Sequence, residues 1–556
     1  MKEEINGEIL NKEDSSAEKT GTSTASTLMK GATILAVAGI ISKMFGAIFR
    51  IPLTNMIGAE GQSYYGAAYP VYQLFFVIAS AGFPVAISRM VSERIAVGDH
   101  INAHKSFKLG LKVMSVISII AAALCYFGAG AIARFYTNPG AAASIKAVSL
   151  ALLLTPLAAS FRGYFQGQQQ MMQTAVSEII EQMARVVVGL TLAYLFFRTN
   201  LEMAAAGATF GASAGMIAAV IALFIMYRMT SGKRAAQMKE SVIREETNVE
   251  RFMELLEIVI PITIGSAIMP LMMNIDAAIV MRRLQETGWS FSMSKTLYGL
   301  ISGFCDPIVN LPTVFIDAIT ITMIPAVTHS FTLHLKDEVD ENIKTGLKTM
   351  MIVVYPCAVG LIVLAQPILH MLFPTKIDEA DLAIHTMQIL AVSIVALAVM
   401  RTLSSCLQGI GKMNLPVINL FTGAVIKVFV TYFLVGIPFF NVNGAAIGSV
   451  CAYLTAAILN YRGLRKHADV SLDLSNIFIK PLWASLIMGA SAIVSYKLLF
   501  MLLHSNTLAT GFAILIAMVV YFVTVFITGA ITREELELLP KGEMLYRLAR
   551  KMHLIK

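Results

Sequence analysis

Residues 32–57 read ATILAVAGIISKMFGAIFRIPLTNMI, a run of apolar and small residues broken by one lysine and one arginine. Helical rise of 1.5 Å per residue lets such a run cross about 30 Å of hydrocarbon. The two charges decide what kind of crossing it is. A cation near mid-membrane costs a few kcal/mol and so faces protein or a water-filled cavity, unless it lies close enough to the headgroups to snorkel outward. Lys43 and Arg50 are seven residues apart, roughly 10 Å along the axis, and point to one side. Gly39 and Gly46 fall on that side too. The face is cationic and hollowed, as a cavity wall for an anion would be. Snorkelling is the competing reading, stronger for Arg50 in the outer third of the run than for Lys43.

The rest of the chain repeats the apolar theme. Of its 556 residues 56% are hydrophobic and 14% charged, a balance that excludes an ordinary soluble domain. About fourteen runs reach the roughly 20 residues a spanning helix needs. None alternates like a barrel strand. The expected fold is an all-α polytopic membrane protein: two parallel six-helix repeats around a central cavity, then two extra helices.

Internal similarity supports the repeat. FQGQQQM (165–171) matches LQGIGKM (407–413) at a shift of 242, Pro84 matches Pro325 at 241, and Gly207 and Gly211 match Gly444 and Gly448 at 237. Three matches in order indicate duplication. Six spans per copy is even, so both copies start on one side and the path runs between them. The expected units are a disordered cytoplasmic tail (1–30), an amino-terminal lobe (31–228), a charged cytoplasmic linker (229–252), a carboxyl-terminal lobe (253–463), two extra spans (478–530) and a basic amphipathic tail (531–556). Most of the 43 Lys and Arg then fall on the side of both termini, which makes that side cytoplasmic.

AGFPVAISRMVSE (81–93), RGYFQGQQQMMQTAVSEIIEQMARV (162–186), NLPTVFIDAITITMIPAVT (310–328) and LQGIGKMNLPV (407–417) resemble the polysaccharide-transport branch of the multidrug/oligosaccharidyl-lipid/polysaccharide exporter superfamily. The resemblance is strongest to the group of Gram-positive stage V sporulation proteins and lipid II flippases. It implies a bacterial plasma-membrane flippase that moves an undecaprenyl-pyrophosphate-linked glycan outward by alternating access. First-span cations of such flippases bind the pyrophosphate, a role that Lys43 and Arg50 would take here. One departure is plain: Gram-negative lipid II flippases also carry arginine in the second span, and LFFVIASAGFP (74–84) has none.

Other polar positions inside spans carry open alternatives. Asp276 binds a coupling ion, orients Arg282 and Arg283 at the outer mouth of the substrate path, or forms a local ion pair. Asn310 and Asp317 share a face of the eighth span (297–326), which Pro307 and Pro312 interrupt, and form a polar cavity wall with a gating or ion role, or bond between helices. Glu178, Glu181 and Arg185 have ladder spacing; Arg185 also aligns with Lys427 at the 242 shift, as in a symmetric cavity wall.

No GxxxxGK[ST] loop or HExxH occurs, so neither nucleotide hydrolysis nor a metal site is expected. No cofactor is expected beyond the membrane potential or a monovalent ion, and the chain is read as no enzyme. Expected partners are the lipid-linked oligosaccharide, membrane lipids and cell-wall synthesis machinery, with a monomeric chain and no nucleic acid. A capsule or teichoic repeat-unit flippase and a multidrug cation antiporter are the alternatives. The antiporter calls for first-span carboxylates, where this chain has Lys43 and Arg50.

Overall fold

The computed structural model describes residues 2–242 and 245–531, with side chains at 34, 35 and from 37 onward. The tails expected over 1–30 and 531–556 fall outside these side chains, Ile531 excepted. The described secondary structure is helical: α1 (Lys2–Ser80), α2 (Phe83–Ala96), α3 (His100–Phe135), α4 (Ala141–Gly167), α5 (Met171–Phe197), α6 (Leu201–Met229), α7 (Ser231–Lys239), α8 (Asn248–Glu286), α9 (Phe291–Gly299), a wide π-turn (Leu300–Cys305), α10 (Asp306–Val309), α11 (Thr313–Thr332), α12 (Lys336–Val363), α13 (Ala365–Leu372), α14 (Ile377–Gly409), α15 (Asn414–Val435), α16 (Asn443–Ala468), a second wide turn (Ser475–Ile479), α17 (Lys480–Leu503) and α18 (Asn506–Ile527).

Local chemistry sets several of these boundaries. Asp99 caps α3 by accepting from Asn102 N at 2.9 Å, and Asn200 caps α6 through Glu202 N at 2.8 Å. Thr247 and Glu250 close a reciprocal capping box at the start of α8. Pro84 occupies the first turn of α2, where its missing N–H costs nothing.

Among the described residues thirteen helices are long and apolar enough to cross a membrane. The first, Val37–Ala96, runs 60 residues through the end of α1 and, past a bend at Ala81–Gly82, all of α2, which would span roughly 90 Å if straight. It breaks at Gly58, whose φ of 63° is open to a residue without Cβ. Glu379 closes the break by accepting from Ala59 N–H at 2.6 Å, which sets a carboxylate at the start of the second arm. The two arms carry the expected first and second crossings, so fourteen expected runs become thirteen helices.

Glycines govern the closest packing. A Cβ on Gly211 would lie 2.7 Å from the Arg185 carbonyl, and one on Gly215 2.5 Å from that of Glu181. Only bare backbone lets α5 and α6 approach so closely. Gly444 and Gly448, which match Gly207 and Gly211 at the 237 shift, pack α16 on α15: a Cβ on Gly444 would lie 2.6 Å from Val435 N, and one on Gly448 would collide with Thr431 Oγ1. On the outside, Phe127 and Leu502 are 84% and 76% exposed, as lipid-facing side chains are. The pair α17–α18 packs on itself and docks against α12 and α13.

One local expectation changes. Glu181 pairs with Arg162 of α4 at 2.8 Å, so the fifth-span ladder does not run through Arg185. The eighth span is broken as its prolines lead one to expect, over Asn310–Pro312 between α10 and α11.

Candidate functional site

The site starts from a proline. Pro307 has no N–H, and its ring crowds the carbonyl four residues back, that of Gly303. The helix ahead of it widens into the π-turn Leu300–Cys305, which leaves carbonyls free for α1. Ser302 O accepts from Arg50 Nη1 at 3.1 Å and Gly303 O from Thr54 Oγ1 at 3.0 Å. Gly299 and Gly303 make room, since a Cβ on either would collide with Ala59 O or the Gln62 side chain.

Two chambers open beside this junction, of about 420 and 240 Å³. Arg50, Tyr69, Asp306 and Asn310 line both, so they are adjoining parts of one cavity. The larger is walled by Lys43, Gly46, Gln182 and Arg185, the smaller by Asp276, Ser393, Lys427 and Ser449.

Charges in the cavity are unequally satisfied. Lys43 Nζ donates to Asp317 Oδ2 at 2.5 Å and Thr313 Oγ1 at 3.1 Å, and Arg401 bridges the other oxygen of Asp317. Lys427 is paired with Asp276. Arg50 has no carboxylate within bonding distance among the described residues; its guanidinium lies 5.6 and 5.3 Å from the ring centres of Tyr65 and Tyr69, within cation–π range. Arg185 and Asp306 form no ion pair among the described residues.

Ion clusters flank the cavity. Arg94 of α2 holds Glu246 at 2.9 Å and Glu254 of α8 at 2.7 Å. Elsewhere Lys295 of α9 is bonded to Glu60 and, at 3.0 Å, to Tyr64 Oη. Burial works against the Lys295 charge, but its bonds to Glu60 and Tyr64 outweigh it and leave the ammonium more basic than an ordinary lysine.

A family model described as "polysaccharide biosynthesis protein" matches residues 28–331, more than half the chain. The chain belongs to the polysaccharide biosynthesis protein family. A second model, MatE, matches residues 301–433. Lipid II flippase MurJ of Bacillus subtilis is 27% identical over 487 residues, 85% of this chain and 88% of that protein. A solved structure of lipid II flippase MurJ in an inward closed conformation aligns with TM-score 0.60 at 17% identity, over 88% of this chain and 97% of that one. An inward-facing multidrug resistance MATE family transporter of the MOP superfamily aligns with TM-score 0.65 at 15% identity, over 79% and 98%. At these identities the two structures speak for the fold alone.

Within this family member the expected site residues separate into groups. Lys43, Gly46, Arg50, Asp276 and Asn310 line the cavity, and Asp317 stands directly behind Lys43. Gly39 is not among the lining residues, and a Cβ at Gly39 or Gly46 would meet open space. Arg282 and Arg283 do not line the chambers: Arg282 lies 5.7 Å from the Phe135 ring centre, while Arg283 lies 4.3 Å from that of Tyr432 and pairs with Glu286 at 2.6 Å. Sequence reading missed Arg401, a lone charge inside an apolar run that the rule applied to Lys43 would have found. It also missed Tyr65 and Tyr69, whose spacing of four puts both rings on one face.

Proposed function

We propose that the chain flips an undecaprenyl-pyrophosphate-linked cell-wall precursor, lipid II or a close relative, from the inner to the outer leaflet by alternating access. The observation that carries this reading is Arg50, a guanidinium on the wall of both chambers with a carbonyl for partner and no carboxylate among the described residues. Such a group is suited to forked bonds with phosphate oxygens. Similarity to the lipid II flippase of B. subtilis supports the same substrate class. A cavity of a few hundred Å³ is sized for a ligand's polar head, so the polyprenyl tail stays in lipid. The reading includes a bacterial plasma membrane, both termini cytoplasmic, a monomer working beside the wall-synthesis machinery, no cofactor, and resetting by the membrane potential or an ion gradient.

Reconstituted vesicles test it. Arg50→Ala should lower flipping of lipid II at least about 10-fold at matched protein level, the loss of one charge-assisted contact, while Arg50→Lys keeps part of the rate. Wild-type flipping by Arg50→Ala would remove the assignment. Rescue of a capsule-flippase mutant but not of a strain depleted of lipid II flippases would move the substrate to a capsule-type repeat unit.

A further inference from the structure

We infer that Arg185 is the second guanidinium of a diphosphate clamp and holds one phosphate while Arg50 holds the other. The inference rests on the flippase reading. It supplies a cation from the fifth span, in a chain whose second-span stretch 74–84 has none.

Arg185 and Arg50 line the same chamber of about 420 Å³. The third cation there, Lys43, is already engaged by Asp317 and Thr313. Arg50 is bonded to one carbonyl, and Arg185 forms no hydrogen bond or ion pair among the described residues, so these two arginines hold the chamber's free cationic donors. The nearest acid one turn back on α5, Glu181, is taken by Arg162. The aligned cation of the second repeat, Lys427, is neutralised by Asp276; the first repeat has kept the cation without the acid.

The arginine's position is also fixed. Its carbonyl packs on Gly211, and its Cβ lies 3.3 Å from where a Cβ on Gly215 would be, so α6 sets the height at which the side chain leaves α5. Gln182, three residues earlier and on the same face, lines the chamber beside it. A secluded charge with no protein partner is costly. A bound anion would remove that cost, and two forked donors match two linked phosphates better than one.

The test compares farnesyl diphosphate with farnesyl monophosphate, binding to the purified full chain in detergent. Wild type should prefer the diphosphate. Arg185→Gln should weaken diphosphate binding about 10–100-fold, one charge-assisted contact, shift monophosphate binding by less than about 3-fold, and so erase the preference. Arg50→Gln should weaken both ligands. If Arg50→Gln weakens binding and Arg185→Gln leaves the preference intact, the clamp is wrong and the site stands. If neither variant changes binding, the flippase site itself is wrong. Should Arg185→Gln fail to fold, Arg185→Lys takes its place, because an ammonium keeps the charge and loses the fork: a reduced preference supports the clamp, and an unchanged one overturns it.

Discussion

Asp317 is the counter-charge around which one side of the cavity is arranged, since it meets Lys43 from α1 and Arg401 from α14 together. Replacing it with asparagine leaves two cations facing one another. We predict that Asp317→Asn lowers stability and that Lys43→Met added to it restores part of the loss, with a coupling of about 0.5–3 kcal/mol in a double-mutant cycle read by unfolding in detergent. Additive losses would mean that the contact contributes nothing. At this scale the sequence was informative where a charge sat deep in an apolar run, because the cost of burying it narrows its surroundings to protein or water. Near span ends that cost vanishes. Arg282 and Arg283 were drawn toward the substrate path for their charge, and the structure shows them beside aromatic rings instead.

Helix spans were legible from length and hydropathy, and so was the break in the eighth; what holds its wide turn open was not. Pro307 and Pro312 announce an interruption, but the wide turn ahead of Pro307 holds because Arg50 and Thr54 of α1 take the carbonyls it releases. Such a contact joins residues some 250 positions apart and leaves no local signature. Glycines behave alike: Gly46 and Gly211 look equivalent in sequence, and only packing separates them. Gly46→Ala should leave the melting temperature within about 1 °C, a surface-like change, because its Cβ enters open space. Gly211→Val should lower it by several degrees, an overpacking cost of about 1–3 kcal/mol, because the new side chain meets the Arg185 carbonyl. Thermal unfolding of both variants checks the contrast; equal shifts would refute it.

Across the whole molecule, ion clusters tie α2 to α8 and α1 to α9. If the proposed alternating access operates, they would not persist together through the cycle. In a background free of the five native cysteines, Gly46→Cys reports entry to the cavity. Arg94→Ala should raise its labelling by an impermeant thiol reagent from one membrane face only, and Lys295→Met from the opposite face. Labelling from the same face in both variants would rule out the two clusters as opposing gates. The cavity charges fall unequally on the two sides of the charged stretch 229–252. Lys43, Arg50 and Arg185 belong to the first half, whereas the second sets Asp276, Asp306 and Asp317 against Lys427 and Arg401. A diphosphate passenger would therefore ride with the first half, and its charge would cancel that of its seat. The loaded stroke would then do little electrical work, while the empty stroke would carry bare guanidiniums through the field at about 2.3 kcal/mol per charge for 100 mV. With the interior negative, the field would draw the vacant seat back inward. Displacement currents on a supported membrane should be largest without substrate and shrink in Arg50→Gln and Arg185→Gln; the voltage of the cell would act on the homeward leg alone.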